Sequence, residues 1–289
     1  MPYDISDEWY AADVKRLADT YGPPRDQLVT MALAGTNPEI APMERVVQDL
    51  QLARDLGLRS TQHVGAGMLG LNRGITQLDE AGLLGPDITF VHCNTCTDEE
   101  LRRIAEVGCT VSISPRVELQ MGHGYPATGR LLAAGIQPSL SIDVVTAVNG
   151  SIFDEMRGTL EAERARHNEQ ALQRGEWPDQ LALTSSDVLR MATIEGARTL
   201  GMEDRIGSLT PGKQADVVLL RVDAPNLCLV NNPTAAVTYA DSANVDTVLV
   251  AGRLVKAAGR LLGHDIHSLQ DSTAASRDKL LAGTPYSTA

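Results

Sequence analysis

Three ionisable side chains stand at the carboxyl ends of predicted strands. His63 lies in the segment TQHVG, His92 in FVHC and Asp143 in SLSIDVV. In parallel α/β folds the loops that leave the carboxyl ends of the strands form the active site. Each of the three taken alone is explained as a buried polar group with a backbone partner. Together they favour one shared pocket, in which imidazole and carboxylate groups can hold a divalent metal.

A second set of candidates follows the predicted strand TVSISP. The set consists of Arg116, Glu118, Gln120, Met121, His123 and Tyr125. We predict that this segment is a loop overhanging the pocket, with Glu118 and His123 as acid/base groups and Arg116 as an anion clamp. The alternative is a solvated loop whose charges contact only water. Gln120, Met121 and Tyr125 are predicted to contact substrate, and Met68 with Met121 suggests a small, partly apolar molecule.

The cysteine pattern does not favour a catalytic role. Cys93 and Cys96 have CxxC spacing directly after His92, but a redox pair normally opens a helix in a thioredoxin-like unit. A zinc pair of this kind needs a second pair of ligands. We therefore expect reduced thiols, with Cys93 lining the pocket.

Apolar runs alternate with amphipathic stretches along the first 200 residues. This strand, helix, strand order implies right-handed crossovers and a parallel sheet. Thr97 and Glu100 have the spacing of a capping box that opens one of the helices. Strands are predicted at 28–35, 58–65, 88–93, 110–115 and 139–145, and helices at 41–57, 75–84, 98–107, 129–135, 153–172 and 186–200.

The pattern changes at residue 207. Short Val/Leu runs are then separated by Gly and polar turns, which is typical of a small antiparallel β unit. We predict an α/β domain over 1–206, a small β domain over 207–266 and a C-terminal tail over 267–289 that includes a short helix.

Composition excludes several classes of protein. The 289 residues carry a formal charge of -12, and only 3% are aromatic. Neither a basic nucleic-acid surface nor base-stacking platforms are expected from such a chain. The N-terminal segment lacks the pattern of a secretory signal, and no apolar run approaches the length of a membrane span. We predict a cytoplasmic protein with no membrane partner.

Two longer motifs resemble the amidohydrolase superfamily, in particular its cytosine deaminase-like and triazine hydrolase-like branch. The run GSLTPGKQADVVLL at 207–220 resembles the return from barrel to β-sandwich, and ATIEGARTLGM at 192–202 resembles the preceding helix. The resemblance implies a (β/α)8 barrel with a metal site. It aligns His63 and His92 with ligands on the fifth and sixth strands, and Asp143 with an eighth-strand ligand that is also the general base.

The chain departs from the family pattern in two places. The family has a His-x-His pair on its first strand, and none is present among the six histidines. Ala66 stands where many deaminase-like members have Glu, three residues after the fifth-strand His. The resemblance therefore implies a chain that begins near the fourth strand and forms a partial TIM-like barrel of strands 4–8 with part of the β-sandwich.

A partial barrel has consequences for metal and partners. We expect His63, His92 and Asp143 either to bind one Zn or Fe ion or to form a pocket without metal. Five strands cannot close an eight-stranded barrel, so backbone edges are left to be covered. We predict a homo-oligomer, with a dimer favoured. Residues 1–27 are an alternative cover for part of the gap.

Three functional interpretations remain open at this point. The favoured one is hydrolysis of a C–N bond, of amide or amidine type, in a small molecule. A second is a metal-free enzyme that uses the pocket for cyclisation, addition or elimination in a biosynthetic pathway. A third is a subunit of a split hydrolase, completed by another polypeptide.

Overall fold

A five-stranded parallel sheet forms the centre of the fold. The computed structural model describes residues 10–22, 27–229 and 231–286. The strands lie side by side in chain order, which confirms the prediction of an α/β fold with a parallel sheet. Their bounds are β1 Leu33–Ala34, β2 Ser60–Val64, β3 Ile88–His92, β4 Thr110–Ile113 and β5 Ser139–Leu140.

Helices between the strands cover one face of this sheet. Val46 and Leu50 from one helix and Leu101 and Ile104 from another pack with Phe90 of β3 in the main hydrophobic core. Burial of these aliphatic side chains is the principal driving force for the layer. The helices are α2 Met43–Asp55, α3 Gly74–Glu80, α4 Asp98–Val107, α5 Pro115–Met121 and α6 Thr128–Ala133.

Strand alternation divides β2 between the two faces of the sheet. Ser60, Gln62 and Val64 are buried against the helices, whereas the partly buried His63 lies on the opposite face. Because side chains alternate with a period of two, a histidine at this position must face away from the helix layer. The open face of the sheet therefore carries the first candidate residue.

Further helices follow β5 and build a second core. Phe153, Met156 and Leu160 pack there with Val188 and Met191. The helix predicted over 186–200 is divided into two, because the backbone leaves helical geometry at Thr193, with φ -128° and ψ -91°. The bounds are α7 Ile152–Gln173, α8 Ser185–Met191, α9 Ile194–Thr199 and α10 Pro233–Tyr239.

An antiparallel sheet lies beyond residue 207, as the Gly-punctuated pattern predicts. It contains β6 Val217–Leu220, β7 Val245–Val250, β8 Arg253–Ala257 and β9 Arg260–Leu261, in that order. The tail forms α11 Ile266–Leu281, a longer helix than the one expected, and none of its residues is buried.

The N-terminal helix α1, Ala11–Tyr21, packs through Ala11 and Val14 against a cluster that includes Leu33 of β1. The prediction that residues 1–27 cover part of the barrel gap concerns in part residues 1–9 and 23–26, which lie outside the described residues. Within the part of the chain that is described, no helix is long and apolar enough to cross a membrane.

Two local expectations were wrong. The segment after β4 is not a loop over the pocket, because Pro115–Met121 forms helix α5, with Pro in its first turn and Gly122 ending it at φ +75°. The stretch predicted as a helix over 75–84 ends earlier, at Glu80, and a 3₁₀ helix, Gly67–Asn72, precedes it.

Candidate functional site

Three histidines and an aspartate meet at the carboxyl end of the parallel sheet. The ring centroids of His63 and His92 are 5.1 Å apart, and those of His92 and His123 are 4.9 Å apart. Asp143 follows β5, and its Oδ2 lies 4.0 Å from His92 Nε2. The structure thus brings His63, His92 and Asp143 together and adds His123 to them.

His92 and Asp143 both have left-handed backbone conformations, which orient their side chains in the cluster. His92 pairs in register with Val64, whose side chain is buried on the helix side of the sheet. The backbone of His92, at φ +78°, interrupts the strand alternation and allows its ring to approach that of His63. Asp143 has φ +62°, and its N–H donates to Ser141 Oγ at 3.0 Å. Positive φ at non-glycine residues is uncommon and clusters at functional sites.

Glu118 lies behind His92 and not at the rim of the pocket. Its side chain is fully buried. Its Oε1 accepts the Ser114 N–H at 2.7 Å and lies 3.2 Å from His92 Nδ1, while Oε2 accepts from Asn94 Nδ2 at 3.1 Å. The carboxylate therefore contacts a site histidine directly.

His123 follows α5 and is fixed through its backbone. Its N–H donates to the Glu118 carbonyl at 3.1 Å, and its own carbonyl accepts the Gly67 N–H at 2.7 Å. These bonds connect the end of α5 to the 3₁₀ helix after β2. The imidazole is thereby held beside His92, near the position that the sequence predicts for an acid/base group.

The remaining candidates make no hydrogen bond to the cluster among the described residues. Arg116 Nη1 donates to Asn149 Oδ1 at 2.6 Å, and the Tyr125 hydroxyl donates to the Ala162 carbonyl. Gln120 and Met121 are exposed on α5. The segment is a helix and not the overhanging loop that was predicted, and the substrate-binding roles of these four residues remain predictions.

Two buried residues of the site are absent from the sequence-based set. Asn94 bridges Glu118 Oε2 and the Tyr125 carbonyl, each at 3.1 Å. Glu155 of α7 accepts the Arg116 N–H through Oε1 at 3.1 Å. Burial raises the pKa of Glu155 to about 7, and the negative charges of Glu118 and Asp143 act in the same direction. The position of Asn94, two residues after His92, could have indicated that it belongs to the site. The sequence around Glu155 is typical of an ordinary helix and gives no such indication.

The electrostatic environment keeps two of the histidines neutral. Burial lowers the pKa of His63, and so do the nearby His92 and His123, with Asp143 opposing them. The pKa of His123 is lowered in the same way, by burial first and then by His92. Neutral imidazoles retain a ring nitrogen that can accept a hydrogen bond or coordinate a metal.

The cysteine pair is buried next to this cluster. Cys93 and Cys96 are free thiols, and a hydrogen bond between them together with burial raises the pKa of Cys93. A thiol held in its protonated form is a poor nucleophile. The pair is therefore part of the packing around the site.

Comparison with known proteins identifies the family. The model of the amidohydrolase family matches residues 50–255, which include every residue of the cluster. The chain belongs to the amidohydrolase family. The match confirms the resemblance inferred from the two longer motifs.

Curated relatives are named as deaminases. The chain is 35% identical over 193 residues to a 5-methylthioadenosine/S-adenosylhomocysteine deaminase of Desulforudis audaxviator, a match that covers 66% of this chain and 43% of that protein. It is also 35% identical over 189 residues to a 5'-deoxyadenosine deaminase of Methanothermobacter thermautotrophicus, with coverage of 65% and 42%. The chain thus spans less than half of the length of the relatives that it matches.

Solved structures support the same architecture. An adenosine deaminase of Xanthomonas campestris with bound zinc superposes with a TM-score of 0.84 at 25% identity, over 94% of this chain and 62% of that one. An atrazine chlorohydrolase of Arthrobacter aurescens, complexed with zinc, gives a TM-score of 0.77 at 23% identity, over 92% and 59%. The second likeness concerns the fold alone.

The zinc in these structures raises the question of whether the present residues fit a metal. Imidazole and carboxylate are suitable donors, but no three His, Cys, Asp or Glu side chains of the described residues are grouped to hold one ion. His92 Nε2 and Asp143 Oδ2 are 4.0 Å apart, and two ligands of a tetrahedral zinc are separated by about 3.3 Å. His63, His92 and Asp143 as arranged do not form a complete metal site.

Proposed function

We propose that the chain carries the catalytic part of a hydrolase that removes an amino group from a small molecule by cleaving a C–N bond. The observation that supports this is the cluster of His63, His92, His123 and Asp143 at the carboxyl ends of the parallel strands. Membership in the amidohydrolase family and relatives named as deaminases point to the same reaction class.

Asp143 is the proposed general base. Its side chain is 21% exposed, so water can reach the carboxylate. Oδ2 takes a proton from the attacking water while the oxygen adds to the carbon that bears the amino group. The same proton then passes to the departing nitrogen. One water is consumed and one ammonia is released, so the step balances without an external acid.

The histidines are proposed to orient the reacting groups. His63 and His123 are neutral near pH 7 because burial lowers the pKa of each. In that state each ring donates one hydrogen bond and accepts another, which suits a polarised amino-heterocycle. His92 lies between them and approaches Asp143, so its ring orientation determines how the base is placed.

For the substrate we propose a small, partly apolar amino compound of nucleoside type. Met68 is 83% exposed on the 3₁₀ helix that is bonded to His123, and Met121 is 56% exposed at the end of α5. We propose that these two flexible thioether side chains contact the substrate, because such side chains accommodate varied apolar groups. The names of the relatives agree with a substrate that combines an aminated ring with a less polar portion.

A second candidate is acid/base chemistry that needs no metal, such as cyclisation, addition or elimination. The observation in its favour is that the donors present do not converge on one point in the described residues. The two candidates differ in their products, because only hydrolytic deamination both releases ammonium and replaces the amino group with an oxygen atom from water.

Ammonium release from a panel of adenosine-type nucleosides tests the proposal. With the unmodified chain we expect release that follows substrate concentration. Asp143→Asn and His92→Asn should each lower kcat by at least about 100-fold, the usual contribution of a positioned acid/base group. His264→Asn is the control, because His264 is exposed and outside the cluster. Equal activity in all four proteins, or turnover without ammonium, would refute the assignment.

A further inference from the structure

Hydrogen-bond donors surround the carboxylate of Glu118. The Ser114 backbone N–H can only donate, and it reaches Oε1 at 2.7 Å. Asn94 Nδ2 lies 3.1 Å from Oε2 and equally 3.1 Å from the Tyr125 carbonyl, which can only accept. The amide of Asn94 must therefore present its NH₂ group to both partners. Glu118 is an acceptor in both of these contacts.

The third neighbour of Glu118 is His92. Its Nδ1 lies 3.2 Å from Oε1, and both side chains are buried, with 2% and 0% of their surfaces exposed. The Glu118 carboxylate accepts hydrogen bonds from its other partners, and an ionised carboxylate has no hydrogen to donate. It can therefore only accept a hydrogen bond from the imidazole. Nδ1 of His92 consequently carries the hydrogen, and in the neutral ring Nε2 carries the free electron pair.

We propose that Glu118 is a positioning residue, which fixes the tautomer and orientation of His92, and that Asn94 holds Glu118 in place. The free Nε2 then faces the cluster, 4.0 Å from Asp143 Oδ2. Carboxylate partners of this kind set which ring nitrogen is available for chemistry. The catalytic consequence rests on the proposed function, whereas the tautomer does not.

This role differs from the acid/base role that the sequence suggested for Glu118. A group that exchanges protons with substrate must reach it, and Glu118 is fully buried behind the imidazole ring. Glu118→Gln keeps one oxygen for Ser114 and His92 but presents an NH₂ group to Asn94. Glu118→Leu removes the acceptor altogether. A positioning role therefore predicts a mild effect for Gln and a strong one for Leu.

Nitrogen NMR of histidine-labelled protein measures the tautomer in the absence of substrate. Comparison with His92→Asn assigns the signals. In the unmodified chain and in Glu118→Gln we expect the hydrogen of His92 on Nδ1, and in Glu118→Leu we expect it to redistribute toward Nε2. Glu195→Gln removes a different buried carboxylate, which is paired with Arg190 and Arg198 and should leave the His92 signals unchanged. If Glu118→Leu fails to fold, Asn94→Ala replaces it and should produce a smaller redistribution.

Kinetics complete the test. We expect kcat to fall by less than about 10-fold in Glu118→Gln and by about 10- to 100-fold in Glu118→Leu, with little change in KM. A hydrogen on Nε2 in the unmodified chain would overturn the proposal, as would a Gln variant as inactive as the Leu variant with an unchanged tautomer. If the chain releases no ammonium from any substrate, the proposed function fails but the NMR result still decides the role of Glu118.

Discussion

Glu155 shows what a single buried carboxyl does to the pH dependence of stability. Its Oε2 has no hydrogen-bond partner among the described residues, and burial raises its pKa from 4.5 to about 7. Between those pH values the folded protein holds a proton that the unfolded chain has lost. The contribution of Glu155 to the free energy of unfolding therefore falls as the pH rises from 4.5 to 7.

Glu155→Gln should remove this dependence, because the amide keeps an oxygen for the Arg116 N–H and cannot ionise. Relative to the unmodified protein, the variant should gain up to about 3 kcal/mol between pH 5 and pH 8. Urea unfolding at the two pH values measures the change. The same difference between pH 5 and pH 8 in both proteins would show that Glu155 does not titrate in this range.

Residue types and spacing predict part of the site. His63, His92 and Asp143 could be predicted because the carboxyl ends of neighbouring parallel strands lie at the same edge of the sheet. The role of Glu118 could not, because its burial behind His92 depends on helix α5 and on the packing of α5 against α7. Asn94 was missed for a similar reason: its partners are Glu118 and the Tyr125 carbonyl, 24 and 31 residues away along the chain.

At the scale of elements, the turn after β2 requires its backbone to pass close to the backbone that follows β3. Gly65 has φ +66°, and a Cβ there would lie 2.9 Å from Cys96 Sγ and 3.1 Å from the Cys93 backbone. Its N–H donates to Glu39 Oε1 at 2.8 Å, and its carbonyl accepts from Thr95. This glycine joins the ends of β2 and β3, which carry His63 and His92.

Gly82 provides a matched control for a substitution at Gly65. It has φ +67°, with nothing within 4 Å of the added Cβ. Gly82→Ala should cost about 1–2 kcal/mol, the cost of left-handed backbone alone. Gly65→Ala should cost about 1–3 kcal/mol more, because the packed neighbours must shift. Chemical denaturation of both variants measures the difference, and equal losses would mean that the crowding at Gly65 has no energetic effect.

The elements with strong local signals match their predicted positions. Helix α4 begins at Asp98, after a capping box between Thr97 and Glu100, as the spacing indicates. Helix α5 was missed because the segment contains Pro, Gly and several polar residues, which suggested a loop. Pro115 is compatible with a first helical turn, and tertiary contacts with α7 stabilise the remainder.

At the scale of the molecule, open edges lead us to propose a homodimer. In the described residues β1 pairs only with β2 and β5 pairs only with β4. The antiparallel sheet also exposes Val218, Leu219 and Leu254, each by about half of its surface. Unpaired edges and exposed apolar faces favour association with another chain. Light scattering should give twice the 30.9 kDa of one chain, and a monomer at micromolar concentration would contradict the proposal.

Turnover in water enriched with ¹⁸O tests the central claim most directly. If the His and Asp cluster catalyses hydrolytic deamination, the product should gain one labelled oxygen at the carbon that carried the amino group. One ammonium ion should be released for each oxygen gained, and Asp143→Asn should abolish both. An unlabelled product formed without ammonium would show that this amidohydrolase-family chain performs a different, non-hydrolytic reaction.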